Sequence, residues 1–111
     1  MTAAAPVSIE PEVTVKAWAF VMHRDGGIHL TGLRDNKKAR LSSAVESFDM
    51  ETMTATTMSG RKYHLDGMPF DALGIMLVRL HWGFGEAEGC KIVSPEDVEL
   101  ALTPAPSPFR H

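Results

Sequence analysis

The first third of the chain is predicted to form β-strands, because apolar and polar side chains alternate from residue 13 to residue 23. Both faces of this segment carry apolar side chains near its middle, so we expect a strand that is packed on both sides. Gly26 and Gly27 follow in a segment typical of a tight turn, since glycine tolerates positive φ. Residues 28–32 and 39–43 are then predicted to be the second and third strands.

The middle of the chain continues this pattern. Residues 45–49 and 52–58 are the next extended segments, and the second is rich in threonine, which favours a half-exposed pleated surface. Ser59 and Gly60 predict a tight hairpin turn, after which residues 61–65 return as a further strand.

The pattern changes at Pro69, which suits the first turn of a helix. The apolar positions that keep helical spacing are Phe70, Leu73, Leu77 and Leu80. This spacing predicts a helix over residues 69–82. Gly74 weakens the helical pattern, and the apolar run 75–78 is equally compatible with a buried strand, so both interpretations stay open.

The last part of the chain predicts two short elements. The glycine-containing segment 83–85 is expected to end the helix, and residues 91–93 are expected to form one more short strand. Ser94 and Pro95 then have the residue types of an N-cap and a first helical position, which predicts a short second helix.

These elements predict an α+β protein. We expect a small curled antiparallel sheet or partly open barrel of about five or six strands, followed by one or two C-terminal helices. Residues 13–102 are predicted to form a single globular domain. Residues 1–12 and the proline-rich residues 103–111 are predicted to be disordered tails.

Composition narrows the class of protein. The chain has 111 residues, of which 44% are hydrophobic, and this suits one ordinary globular domain. It contains one cysteine, no apolar run of about 18 residues and no secretory signal pattern, so we expect a cytoplasmic protein without a membrane span. The net charge of -3 combines a mildly basic middle with an acidic C-terminal part. A dedicated nucleic-acid binder usually has a stronger excess of basic residues.

Catalytic and metal-binding patterns are not evident in the sequence. The histidines have no metal-ligand spacing, and Cys90 has neither a cysteine partner nor a nucleophile motif around it. Gly83, Gly85 and Gly89 are spaced like a dinucleotide fingerprint, but Glu86 and Glu88 among them would repel a pyrophosphate. We therefore expect a protein that is not an enzyme and that needs no metal or cofactor.

Two sets of residues are candidates for binding. The first is acidic and apolar, and fits a basic surface on a host or phage protein complex. Its members are Trp82, Phe84, Glu86, Glu88, Glu96, Asp97 and Glu99. The second set is basic and predicts, as the alternative, a small barrel that binds nucleic acid. Its members are Arg34, Lys37, Lys38, Arg40, Arg61 and Lys62. A homodimer, formed through a free strand edge or a methionine-rich surface, stays open.

The predicted hairpin in the middle of the chain resembles one found in small uncharacterised proteins of phages and bacterial mobile elements. That hairpin has a threonine-rich strand, a Ser-Gly-Arg turn and a Tyr-x-Leu-x-Gly return. The matching residues here are Thr56, Thr57, Ser59, Gly60, Arg61, Tyr63, Leu65 and Gly67. The resemblance implies a small, cytosolic, accessory protein of phage or mobile-element origin, and it assigns no functional residue. Small acidic phage proteins without enzymatic motifs are often inhibitors of host machinery. From this class we expect a protein that inhibits or regulates a host complex, with an anti-CRISPR-type inhibitor as the concrete example.

Overall fold

A computed structural model describes residues 11–34 and 38–102 and shows an α+β fold, as predicted. The six strands are β1 (Glu12–Met22), β2 (Ile28–Leu33), β3 (Ala39–Asp49), β4 (Thr54–Thr57), β5 (Lys62–Leu65) and β6 (Lys91–Val93). The two helices are α1 (Asp71–Ala87), which lies between β5 and β6, and α2 (Pro95–Leu102), which follows β6.

The six strands form one curled sheet in the order β2-β3-β4-β5-β1-β6, and β1 also pairs with β2. The sheet is therefore partly ring-like, although it is not a barrel. The β1–β5 pair is parallel, so the sheet is mixed and differs in this respect from the antiparallel sheet that we predicted. The reason is that four successive antiparallel steps bring β5 back in the same direction as β1, and the two strands then meet.

A sharp bend allows β1 to contact different strands along its length. Ala17 has a φ of 48°, and the pairing with β2 shifts register between Lys16 and Ala19. Before the bend β1 pairs with β5 and after it with β6, whereas the pairing with β2 continues across the bend. Gly32 of β2 passes close to this bend, since a Cβ there would lie 3.0 Å from the Cβ of Val15.

Aromatic side chains of β1 and β3 form the centre of the core. Trp18 and Phe20 are almost fully buried and meet edge to face at 5.7 Å, and Phe20 meets Phe48 at 4.9 Å. Val98 of α2 is fully buried in the same cluster, so the second helix closes this side of the sheet.

The first helix confirms the helical interpretation of residues 69–82 over the buried strand. Its buried residues are Gly74, Leu77 and Val78, which all face the sheet. The helix extends to Ala87, five positions beyond the predicted end, but Gly83 has non-helical angles, with φ 82° and ψ 176°. The predicted interruption at 83–85 is therefore a kink, after which the chain resumes a short helical segment.

The start of α2 is capped as predicted. The Oγ of Ser94 accepts a hydrogen bond from the backbone N–H of Asp97 at 3.2 Å, which satisfies one of the free donors at the helix start. Glu96 and Asp97 in the first turn favour the same end of the helix electrostatically.

The predicted tails fall almost wholly outside the described residues. Of the predicted N-terminal tail only residues 11 and 12 are described, and Glu12 is already the first residue of β1. The predicted C-terminal tail, residues 103–111, lies outside entirely. In the part of the chain that the structure describes, neither helix is long and apolar enough to cross a membrane.

Candidate protein-binding face

The side of α1 that points away from the sheet carries large apolar side chains. Met76, Leu80 and Phe84 are 57%, 71% and 71% exposed, and we call these three residues the outer face of α1. Met76 and Leu80 are one helical turn apart and therefore lie on the same side. The opposite side of the same helix is buried, so the outer face is not simply a frayed helix end.

Phe84 lies just beyond the kink at Gly83, yet it stays next to the rest of the outer face. The guanidinium carbon of Arg79 lies 5.5 Å from the centre of the Phe84 ring, a cation–π distance. Since Arg79 is three residues after Met76 and therefore its neighbour on the helix surface, this contact places Phe84 beside the exposed side of the first helical segment.

Trp82, which we predicted as an apolar contact for a partner, is half-buried inside the molecule. Its ring meets the rings of His23 and His29 edge to face, at 4.8 Å and 4.9 Å. The Nδ1 atom of His29 donates in turn to the carbonyl of Ser42 at 2.9 Å. Trp82 therefore packs α1 against the β1–β2 hairpin, and of the two predicted apolar contacts Phe84 is the more exposed.

The hairpin also binds the segment after the kink through polar groups. The Nε2 atom of His23 lies 2.7 Å from Oε2 of Glu86, and its Nδ1 atom lies 3.3 Å from Oδ1 of Asp25. The backbone N–H of Gly27 donates to Asp25 and lowers the pKa of that carboxyl. Arg24 donates to the carbonyl of Gly85.

The predicted acidic contacts fall into two groups that the structure does not bring together. Glu86 is engaged by His23, and Glu88 is exposed near the end of α1. The others belong to α2, where Glu96 and Asp97 are exposed. The half-buried Glu99 accepts a hydrogen bond from the backbone N–H of Met50 at 3.3 Å, so it helps to fix the β3–β4 connection.

An open groove of about 620 Å³ lies between the start of α1 and the start of α2. Three separate connections of the chain contribute its walls, and α1 and α2 contribute acidic side chains. The lining residues are Trp18, Met50, Met53, Gly67, Met68, Pro69, Asp71, Ile92, Ser94, Pro95 and Glu96. The sequence analysis missed this site, although the three methionines that it assembles are a signal in the sequence.

The predicted basic set does not form one exposed patch. Arg40 and Arg61 are buried, at 8% and 5% exposure, and Arg40 donates to the Tyr63 hydroxyl at 3.3 Å. Lys38 and Lys62 are exposed and Arg34 is half-buried, whereas Lys37 lies outside the described residues. Two of the expected phosphate contacts are therefore inside the protein.

Cys90 and His81 are two further reactive side chains among the described residues. The Sγ atom of Cys90 donates to the carbonyl of Glu86 at 3.2 Å, and desolvation raises the pKa of the thiol. Both ring nitrogens of His81 are buried without a hydrogen-bond partner among the described residues, and this burial lowers its pKa. Residues 11–34 and 38–102 contain no group of three or more His, Cys, Asp or Glu side chains placed to hold a metal ion.

The chain matches no protein-family model, no curated protein and no solved structure at a level that shows relatedness. The geometry of the exposed apolar surfaces is therefore what supports a function.

Proposed function

We propose that this protein is a non-enzymatic protein-binding module that inhibits or regulates the complex to which its partner belongs. The observation that carries the proposal is the outer face of α1, where Met76, Leu80 and Phe84 are all more than half exposed. Single exposed apolar residues are ordinary on protein surfaces, but a contiguous group on a well-packed helix is typical of an interaction site.

The outer face has the features of an interface centre. Complete burial of one large apolar side chain is worth about 1.5–3 kcal/mol, so covering the three contributes roughly 3–6 kcal/mol, allowing for their partial burial already. Phenylalanine and methionine, the residue types of Phe84 and Met76, are both enriched in the cores of protein interfaces. Because the position of Phe84 is fixed by Arg79, little conformational entropy is lost when a partner covers it.

The charges at the two ends of α1 favour a basic partner, although Arg79 beside Phe84 is itself a cation. Asp71 at the start of α1 and Glu88 just after its end are both exposed. They flank the apolar centre at the two ends of the helix, where they would attract a basic surface before the apolar contacts form. Occupying such a surface on a nucleic-acid-binding complex would block its normal ligand, which is how binding alone would inhibit it.

The chemistry of the molecule supports a role without catalysis. Burial raises the pKa of the Cys90 thiol, and a thiol is a weaker nucleophile than the thiolate. His23 has two carboxylate neighbours: Glu86 joins the hairpin to α1, whereas Asp25 lies in the turn of the hairpin itself.

The test is affinity capture of partners from a lysate of the native host, with a tagged wild-type protein and two variants. The double variant Leu80→Asp, Phe84→Ser removes two of the three apolar side chains of the outer face. The control Met58→Ser removes a similarly exposed apolar side chain elsewhere. We expect one stoichiometric protein that survives nuclease treatment, that Met58→Ser retains and that the double variant loses. Circular dichroism and thermal melting check that the variants are folded.

Retention of the partner by the double variant would contradict the proposed face. Recovery that depends on nucleic acid, and disappears with nuclease, would instead favour the alternative of a nucleic-acid-binding protein.

A further inference from the structure

The groove between α1 and α2 combines a rigid frame with adaptable walls. Its backbone is fixed by three hydrogen bonds: Trp18 Nε1 donates to the carbonyl of Gly67 at 3.2 Å, Leu65 N–H to that of Met53 at 2.8 Å, and Met50 N–H to Glu99. The connections that form the groove are therefore held in place before any ligand arrives, which lowers the entropic cost of binding.

Methionine is the commonest residue type in the walls, with three of the lining side chains. Met50 and Met53 come from the β3–β4 connection, and Met68, which is 82% exposed, comes from the β5–α1 connection. The methionine side chain is unbranched, flexible and polarizable, and it adapts to apolar groups of different shape. With Trp18 and Ile92 also lining the groove, the site is suited to a large aliphatic or aromatic side chain.

The charges at the groove all have one sign. Asp71 from α1 and Glu96 from α2 line it, and among the described residues no lysine, arginine or histidine does. Asp97 follows directly on the exposed first turn of α2 and adds to the negative field. Nearby Asp66, in contrast, lies 3.7 Å from the Nζ atom of Lys16.

This charge pattern decides between a second copy of the chain and a different partner. A two-fold contact through the groove would place Asp71 and Glu96 of one copy against the same carboxylates of the other, and like charges across an interface disfavour association. A segment with lysine or arginine next to its apolar side chain meets the opposite charge instead.

We propose that the groove binds a short basic segment of a partner protein, with one large apolar side chain of the segment inserted among Met50, Met53 and Met68. The inference rests on the proposed function, because it takes the protein-binding role as given and assigns it a second contact, at the start of α1. The outer face then supplies the other apolar contact along the same helix.

The test uses the full chain and a fluorescein-labelled synthetic peptide in which two leucines are flanked by lysines. One control peptide has serine in place of leucine, and the other has glutamate in place of lysine. Binding is measured by fluorescence anisotropy at low and at moderate salt. The methyl resonances of the methionines, labelled with ¹³C, report where the unlabelled peptide binds.

We expect the leucine–lysine peptide to bind more tightly than either control and to shift the resonances of Met50, Met53 and Met68. The resonances of Met58 and Met76, two methionines outside the groove, should not shift. Each of Asp71→Asn and Glu96→Gln should weaken binding by about twofold to fivefold at low salt, as expected for one exposed ion pair. Glu46→Gln removes the same charge from an exposed position of β3 and should leave binding unchanged.

Two results would overturn the inference. The first is that the serine peptide binds as tightly as the leucine–lysine peptide. The second is that the Asp71→Asn and Glu96→Gln variants bind the leucine–lysine peptide with the wild-type affinity. The Leu80→Asp, Phe84→Ser variant separates this failure from that of the proposed function. If it loses the captured partner while the groove binds no peptide, the groove assignment alone is wrong. If it keeps the partner, the outer face is wrong, whatever the peptide does.

Discussion

Replacing Gly74 by alanine tests how closely α1 lies on the sheet. A Cβ at position 74 would lie 2.5 Å from the Cβ of Ala19, 3.0 Å from Cδ1 of Ile92 and 3.5 Å from Oγ1 of Thr31. The Ile92 side chain can rotate away, but Ala19 has no side-chain freedom and belongs to β1, which is hydrogen-bonded on both sides at this point. The helix therefore has to move.

Two opposing effects set the magnitude. Overpacking of a core costs about 1–3 kcal/mol, and a contact with an immobile methyl group belongs in the upper half of that range. Alanine in place of glycine within a helix returns about 1 kcal/mol through its higher helix propensity. We therefore expect Gly74→Ala to lower the free energy of unfolding by roughly 1–2 kcal/mol. For a domain of this size the melting temperature should fall by about 5–15 °C.

Urea unfolding followed by circular dichroism measures this change, with Gly85→Ala as the matched control. A Cβ at Gly85 meets nothing within 4 Å, so that variant should be as stable as the wild type or slightly more stable. Adding Ala19→Gly to Gly74→Ala should recover part of the loss, since it removes the clashing methyl group. If Gly74→Ala alone were as stable as the wild type, α1 could not lie this close to β1.

Three further predictions concern the junction between α1 and the hairpin. Trp82→Ala should lower the free energy of unfolding by about 2 kcal/mol in urea titrations, because the half-buried ring loses its contacts with His23 and His29. Burial lowers the pKa of His81, so the folded state binds fewer protons there than the unfolded state. Stability should therefore fall as the pH drops below about 6.5, and His81→Gln should reduce this slope in unfolding curves between pH 5.5 and pH 7.5. Gly83→Ala should cost about 1–3 kcal/mol, since φ 82° with ψ 176° is a region that only glycine adopts readily, and hydrogen exchange should show the loss in the segment after the kink.

Local pattern predicted most of the elements, because their signals lie within a few residues. The alternation in residues 13–23, the Ser59-Gly60 turn and the Ser94 cap are all local, and the structure has elements at these places. Gly74 weakened the helix prediction only because a glycine costs helix propensity when it is considered alone. The reason for a glycine at this position is tertiary, because α1 approaches Ala19 of β1 closely here. That approach has no signature in the neighbouring sequence.

The sequence could not predict features that depend on distant parts of the chain. The parallel β1–β5 pair forms only because the hairpins between them bring β5 back to the first strand. Arginine is ordinarily exposed, so nothing local indicates that Arg40 and Arg61 are buried. The groove likewise assembles residues from three connections, and only its methionines were visible beforehand.

The parallel pairing of β1 with β5 sets an order on the folding of the chain. The hairpin of β1 with β2 is local and can form as soon as residue 33 is available, whereas pairing of Glu12 with Lys62 has to wait for the whole intervening segment. Closing so long a loop costs chain entropy. The four residue pairs between β1 and β5 compensate for this cost only once the core is packed. The β1–β5 junction thus closes after the local hairpins, as does the β1–β6 pairing, which joins residues still farther apart in the chain. Until β5 arrives, the early half of β1 presents an unpaired edge to other chains.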